Sequence, residues 1–223
     1  MCLVYVSEKS LKLAEELAAK IKALPHKPTA YICRADVSTL EGPQQIITSL
    51  LEATDKNLAV DILVNNAGLE RVKSLAELTV DDYDAVYNVN VRGVILLTQA
   101  VLPYLQANGR VINISSVGSR EGFPELGLYC SSKAAVEGLT RVWAAELGHN
   151  GTTVNAVNPG PVQSEMLDNI PKSIVEMQKQ KTPVQNRVGT AEEVAKVVSW
   201  LAGGDSGWVS GQAISASGGY SMY

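Results

Sequence analysis

Residues 61–68 read Asp61-Ile62-Leu63-Val64-Asn65-Asn66-Ala67-Gly68. A short aliphatic run closed by polar residues and a glycine is the signature of a strand buried on both faces that ends in a turn. The same construction recurs along the chain. Leu3 to Val6 opens it, Ala30 to Cys33 runs on to Asp36-Val37, Arg110 to Ile114 ends at Ser115-Ser116, and Thr153 to Val157 ends at Asn158-Pro159-Gly160-Pro161. Helical patterning fills the intervals over Glu8 to Leu24, Gly42 to Ala53, Val80 to Ala107, the stretch after Tyr129, and Ala191 to Leu201, with a last strand at Ala213 to Ala216. Thr79, three residues before Asp82, is a capping-box start for the long helix. Strands alternating with helices specify an α/β fold, a three-layer, doubly wound parallel sheet. At 223 residues, with no repeat or linker, it reads as a single domain.

The polar residues gather at strand ends: Asp36, Asn65 to Gly68, Ser116 and Asn158 to Ser164. In an open parallel sheet that edge is where ligands bind. One more pattern gives this edge a chemistry. Tyr129 and Lys133 stand four apart, on one helix face, thirteen residues after Ser116, with Asn90 on an earlier helix. A cation about 4 Å from a phenol is worth roughly 4 kcal/mol at an effective dielectric near 20, about a thousandfold in acidity. Such a pair can exchange protons near neutral pH. Spacing alone is weak, since Tyr5 and Lys9 share it with no serine before them.

Composition narrows the classes. Apolar residues make up 46% and charged residues 19%, and the net charge of −4 argues against nucleic acid or an anionic membrane as partner. No apolar run approaches the ~18 residues that span a bilayer. Three unpatterned cysteines, Cys2, Cys33 and Cys130, read as reduced thiols in a cytoplasmic protein. With only His26 and His149, both in polar loops, a zinc site and histidine catalysis are not expected.

Together these residues resemble the short-chain dehydrogenases/reductases, over essentially the whole chain. Asn65-Asn66-Ala67-Gly68 is similar to the family's sheet-stabilising motif, Asn90-Val91-Arg92-Gly93 to the context of its catalytic asparagine, and Val111 to Ser116 to the strand that presents its catalytic serine. The resemblance implies a Rossmann-type fold and hydride transfer between a nicotinamide cofactor and a carbonyl or alcohol. Asn90, Ser116, Tyr129 and Lys133 would be catalytic: Ser116 and Tyr129 bind the carbonyl oxygen, Tyr129 gives the proton, Lys133 holds the ribose and acidifies the phenol, and Asn90 anchors a water. Asp36 and Val37 would contact the adenine, Asn65, Asn66, Ala67 and Gly68 the adenosine ribose, and Pro159, Gly160, Val162 and Ser164 the nicotinamide and phosphates. At Tyr5 and Ser7, where NAD users usually carry an acidic side chain, hydroxyls with Lys9 nearby favour NADP(H) over NAD(H), against Glu8. The run Ser206 to Gly211 and Gly218-Gly219 is similar both to fungal polyketide naphthol reductases and to acyl-carrier ketoreductases. The wall Val117, Phe123, Pro124, Leu126 and a cover over Met166 to Gln180 suit a moderately apolar small molecule. A homodimer or homotetramer is implied, with Val136, Leu139, Trp143 and Val94 to Leu97 as one candidate face, or as ordinary core.

The chain departs from the family at one place. No Gly-x-Gly turn occurs in the sequence, so the family's first strand–turn–helix, which cradles the pyrophosphate, is expected to be missing. Two readings follow: a longer polypeptide is the active form, or this chain is an impaired, non-catalytic remnant that pairs with a longer homologue. In both, the 223 residues alone are expected to bind cofactor poorly.

Overall fold

A computed structural model describes residues 1–168 and 170–223, with the side chains of residues 165 and 166 outside the described set. The elements run β1 Cys2–Tyr5, α1 Glu8–Lys22, β2 Tyr31–Arg34, α2 Gly42–Ala53, β3 Val60–Asn65, α3 Val80–Tyr87, α4 Val94–Val101, β4 Leu105–Ile114, α5 Gly127–Leu147, β5 Thr153–Pro159, α6 Glu165–Asp168, α7 Lys172–Lys181, α8 Ala191–Ala202 and β6 Ala213–Ala216. The fold is α/β, Rossmann-type, with parallel strands and helices between them. Its residues form two compact units, 1–60 with 92–105, and 61–91 with 106–223.

In the first unit β1 and β2 pair in parallel, Cys2 opposite Tyr31 through Tyr5 opposite Arg34. Cys33, Ala35, Val37 and Ile46 are buried together, with Cys2, Leu50 and Leu97 packed on them. Ser7 caps α1, its Oγ accepting from the Ser10 amide. Val4, Val6 and Ile32 remain exposed.

The second unit holds a four-stranded sheet, β3-β4-β5-β6, with β4–β5 and β5–β6 parallel. Neighbouring strand residues point to opposite faces, and β4 uses both. Ile112 joins Val157 and Leu201 under α8, whereas Asn113 turns toward α5, donating to Thr140 Oγ1 at 2.9 Å. Ile62 and Val64 of the edge strand β3 are exposed.

Three expectations are corrected here. The long helix does not run to Ala107: it breaks at a π turn, Asn88–Gly93, and its last turn tightens at Leu102–Tyr104, where Pro103 has no amide to continue the ladder. β4 therefore starts at Leu105. Val94 and Val136 are buried, in line with the ordinary-core alternative for that face. The deepest face of α5 is polar, Ser132, Lys133, Glu137 and Thr140 beside Val136, whereas Leu139, Trp143 and Leu147 are only half-buried. By length and mean hydropathy the helical stretch 80–104 is the one candidate bilayer span among the described residues. Its Asp82 and Asn90 are buried with protein partners, as expected for a helix packed within a protein.

Candidate active site

The four residues singled out as catalytic all lie in the second unit. Ser116 follows β4, and the backbone beyond it turns at once, its Oγ accepting from the Gly118 amide at 3.0 Å. A serine whose oxygen is already occupied as an acceptor keeps its hydrogen for donation. Tyr129, near the start of α5, has its hydroxyl close enough to Ser116 for that serine to favour the ionised phenol. Lys133 is one turn on, 4% exposed, with Nζ 2.8 Å from the carbonyl of Ile114 and 5.7 Å from the centroid of the Tyr129 ring. Ser115 ties its hydroxyl to the Lys133 carbonyl at 3.0 Å.

Asn90 sits in the π turn, 1% exposed. Single π turns inside helices are frequent at functional sites, because the extra residue swings a side chain out of the regular pattern. Its Oδ1 accepts from the Leu69 amide at 2.8 Å, and its Nδ2 donates to the Leu69 carbonyl at 2.8 Å and to Ser132 Oγ at 2.9 Å. The segment after β3 is thereby clamped beside α5. A Cβ at Gly68 would stand 3.3 Å from Lys133 Nζ, so glycine lets the backbone approach the ammonium closely. Beyond it, Arg71 and Lys73 pair with Asp82, and the Lys73 amide reaches the Glu125 carbonyl.

Asp82 is thus held by Lys73, by Thr79 and by the helix start, and these bonds put its carboxyl at about 2. A depressed carboxyl contributes stability above its ordinary pKa, near 3.9, that is lost as pH falls toward the folded value. Asp82→Asn is accordingly expected to lower Tm at pH 6 and to show a smaller further drop between pH 4 and 2 than the wild type. Thermal melts across that range measure it, and an unchanged drop would contradict the assignment.

Two titrations define the electrostatics. Burial brings the Lys133 ammonium down to about 8. Burial also raises the Tyr129 phenol, opposed by Ser116 and reinforced by the Glu70 and Cys130 charges. Lys133 as a lone cation was expected to acidify the phenol. In this structure its ammonium is directed to Ile114, and burial is the leading influence on the phenol. The phenol therefore stays protonated at neutral pH, as a proton donor must.

The remaining candidates divide. Asn65 donates across the sheet to Asn113 Oδ1 at 2.8 Å, and Asn66, Ala67 and Gly68 are exposed at the strand end. Pro159 ends β5 and Gly160 follows it, where a Cβ on Gly160 would come within 2.8 Å of Ser217 Cβ. Val162 bridges Gly189, and Ser164 Oγ accepts from the Leu167 amide at 3.3 Å, ahead of α6. Tyr5, Ser7, Asp36 and Val37 lie in the first unit. There Asp36 Oδ1 accepts from the Ser38 amide, and Val37 is buried in the unit's core. Three residues went unnoticed in the sequence. Glu70 is half-buried with a raised carboxyl. Arg34 pairs with Glu8. Glu137 lies one turn past Lys133, buried and charged. No hydropathy signal marked the last, since a glutamate beside the Val136 stripe reads as a solvent-facing residue.

A helix-borne tyrosine and buried lysine, a serine at a strand end and a clamped asparagine on a doubly wound sheet define an oxidoreductase scaffold of the nicotinamide-dependent class. Comparison with known proteins narrows this. A family model described as Enoyl-(Acyl carrier protein) reductase matches residues 1–221. Dehydrogenase OXI1 of Cochliobolus heterostrophus is 40% identical over 228 residues, covering 98% of this chain and 96% of that protein. The 3-oxoacyl-[acyl-carrier-protein] reductase FabG of Thermotoga maritima is 36% identical over 207 residues, 92% of this chain and 82% of FabG. Hydroxynaphthalene reductase arp2 of Aspergillus fumigatus is 33% identical over 220 residues, 91% and 77%. Among solved structures, a blue fluorescent protein from a metagenomic library in complex with NADPH superposes with a TM-score of 0.89 at 32% identity, over 99% of this chain and 87% of that one. The chain belongs to the short-chain dehydrogenase/reductase family, and it is an oxidoreductase.

Of the residues that would hold such a cofactor, Gly68 lets its backbone approach the Lys133 ammonium, and Gly160 packs closely against Ser217. No Gly-x-Gly turn follows any strand among the described residues.

Proposed function

We propose that the protein reduces a small, moderately apolar ketone with NADPH, and in reverse oxidises the secondary alcohol. The observation that carries this reading is the buried Lys133 ammonium 5.7 Å from the Tyr129 ring, with the phenol beside Ser116 kept protonated by burial and the lysine at about 8. When bound, the reduced nicotinamide supplies the hydride. Ser116 and Tyr129 donate hydrogen bonds to the substrate oxygen, an arrangement worth most where negative charge develops. Tyr129 gives up its hydroxyl proton, and Lys133 Nζ, turned from Ile114, holds the replacement. We assign to Asn90 the anchoring of the water that reconnects Lys133 to solvent. With both side-chain hydrogens given to Leu69 and Ser132, its backbone carbonyl and remaining lone pair serve that water. Kinetics check this: reduction is expected to fall as pH rises above about 8 and Lys133 loses its proton, and a flat profile to pH 10 would contradict it.

NADPH is assigned over NADH because Arg34 neutralises Glu8 beside Ser7, with its Nε donating to the Val6 carbonyl at 3.1 Å. An arginine there suits a 2′-phosphate. Solved relatives with NADP or NADPH support the choice. Arg34→Ala is expected to weaken NADPH at least about tenfold and NADH less than threefold by calorimetry, since one charged hydrogen bond is worth ~1.5–3 kcal/mol. Equal losses for the two nucleotides would overturn the assignment. FabG and arp2, by name, reduce 3-oxoacyl and hydroxynaphthalene substrates, so oxidation of NADPH at 340 nm over a panel of β-keto thioesters and phenolic ketones tests the reaction. We place the protein in the cytoplasm, where free Cys2, Cys33 and Cys130 stay reduced, and assign it a homo-oligomeric state.

A second reading has its own observation. Parallel strands are ordinarily covered on both faces, yet Val4, Val6 and Ile32 in one unit and Ile62 and Val64 in the other are exposed. On that reading the chain pairs with a longer homologue and does not itself turn over. Micromolar NADPH binding by the purified chain supports the reductase; a folded chain that binds none supports the second reading.

A further inference from the structure

Glu137 is a buried carboxylate that the reaction does not use. It stands on α5 one turn beyond Lys133 and is 4% exposed. Four groups from three directions converge on it. Arg120 Nε lies 2.9 Å from Oε2, and Arg141 on the same helix 3.9 Å away. Ser119 Oγ and Asn158 Nδ2 meet Oε1, the amide at 2.6 Å. Each partner leads to a part of the site. The single Ser119 hydroxyl hydrogen lies between Glu137 Oε1 and the backbone carbonyl of Ser116, 2.6 Å from its Oγ, and is shared by the two acceptors. Asn158 is the penultimate residue of β5, next to Pro159-Gly160, and its two Nδ2 hydrogens are shared among Glu137 Oε1, Ser119 Oγ at 3.2 Å and the Tyr223 hydroxyl at 2.9 Å. The Tyr223 ring lies under the Arg120 guanidinium, 4.3 Å from its centroid, and Ser221 two residues earlier donates to Glu121 at 2.5 Å.

The charge decides the orientation. Asn158 is fully buried and its Oδ1 has no partner. Turning the amide over would satisfy Oδ1 with hydroxyl donors but set an oxygen against a carboxylate. Burying that repulsion costs more than one orphaned acceptor, ~1–3 kcal/mol. Glu137 thus fixes the amide at the end of β5, and through Ser119 it fixes the backbone of Ser116.

We propose that Glu137 is a positioning residue whose carboxylate locks loop 116–120, the segment after Asn158 and the tail through Tyr223 into one cooperative arrangement, placing the Ser116 hydroxyl opposite Tyr129. The effect on turnover rests on the reductase reading; the mechanical coupling does not. The test therefore has two arms. Hydrogen–deuterium exchange is followed in Glu137→Gln, Ser119→Ala and Tyr223→Phe. Ser119→Ala removes one small hydroxyl and decides the matter should Glu137→Gln not fold. Exchange is expected to accelerate about tenfold or more in residues 116–121, 158–163 and 217–223 together, with α8 unchanged, as for a single cooperative unit. Acceleration confined to the substituted segment overturns the proposal.

In the second arm, Ser119→Ala is expected to lower kcat for ketone reduction about 10–50-fold with KM within about threefold, and to cost less than about threefold in a Ser116→Ala background, because residues acting as a unit are non-additive. Equal losses in both backgrounds contradict action through Ser116. If the wild type reduces no ketone, the exchange arm still decides the coupling, and the failure belongs to the reductase reading.

Discussion

Tyr129→Phe is expected to cut kcat for ketone reduction by about 10³–10⁴-fold while leaving NADPH affinity within about threefold. The phenylalanine keeps the ring that packs near the Lys133 ammonium, so the change is confined to one hydroxyl. That hydroxyl is both the proton source, worth ~10²–10⁴-fold, and one of two donors to the carbonyl oxygen, where loss of one donor costs ~10²–10³-fold. The two effects overlap, because a single O–H does both jobs, so they do not multiply. Ser116→Ala should cost less, since Tyr129 remains to donate. Steady-state kinetics with calorimetry checks both halves. A Tyr129→Phe enzyme within about tenfold of wild type would remove the phenol from the chemistry.

Lys133→Met should abolish turnover and stabilise the fold at once. The ammonium sits 4% exposed, at about 8 instead of its ordinary value near 10.4. Between those pH values the unfolded chain binds the proton more strongly than the folded one. The cost of burying the charge is therefore present in full below pH 8 and fades as pH rises toward 10.4. That cost is about 3 kcal/mol, of which about 1 is returned as an unpaired Ile114 carbonyl when methionine replaces lysine. A net gain of about 2 kcal/mol in urea unfolding at pH 7 is expected, shrinking by pH 10. A loss of stability at pH 7 would mean that the ammonium is better solvated than its surroundings imply. The trade is typical of catalytic groups kept at a cost to the fold.

The aliphatic runs made the strands legible, and β5 is buried as such a run implies, whereas β3, expected to be buried on both faces, leaves Ile62 and Val64 exposed; the Thr79–Asp82 capping box fell where its spacing placed it. What sequence periodicity missed were polar interiors. The inner face of α5 carries Lys133, Glu137 and Thr140, residues that hydropathy assigns to solvent. They are buried because each finds a partner only after β4, β5 and loop 116–120 have assembled. The break at Asn88–Gly93 was likewise hidden, since Asn-Val-Asn-Val-Arg-Gly fits a continuous helix and becomes a π turn only when Asn90 bonds Leu69. The phenol's titration was misjudged for a related reason: a spacing of four reports a neighbouring charge but not how much water the fold removes. Arg34 beside Glu8 joins residues 26 apart, beyond any local motif.

The most direct test of the account is isotope transfer. The purified chain is incubated with NADPH deuterated at C4 of the nicotinamide and a ketone from the panel, and the alcohol is analysed by mass spectrometry and NMR. Hydride transfer predicts deuterium on the carbinol carbon, from one face of the cofactor only, and about 10³–10⁴-fold more slowly with Tyr129→Phe. A folded chain that binds NADPH and ketone yet yields no deuterated alcohol from any panel member would contradict it.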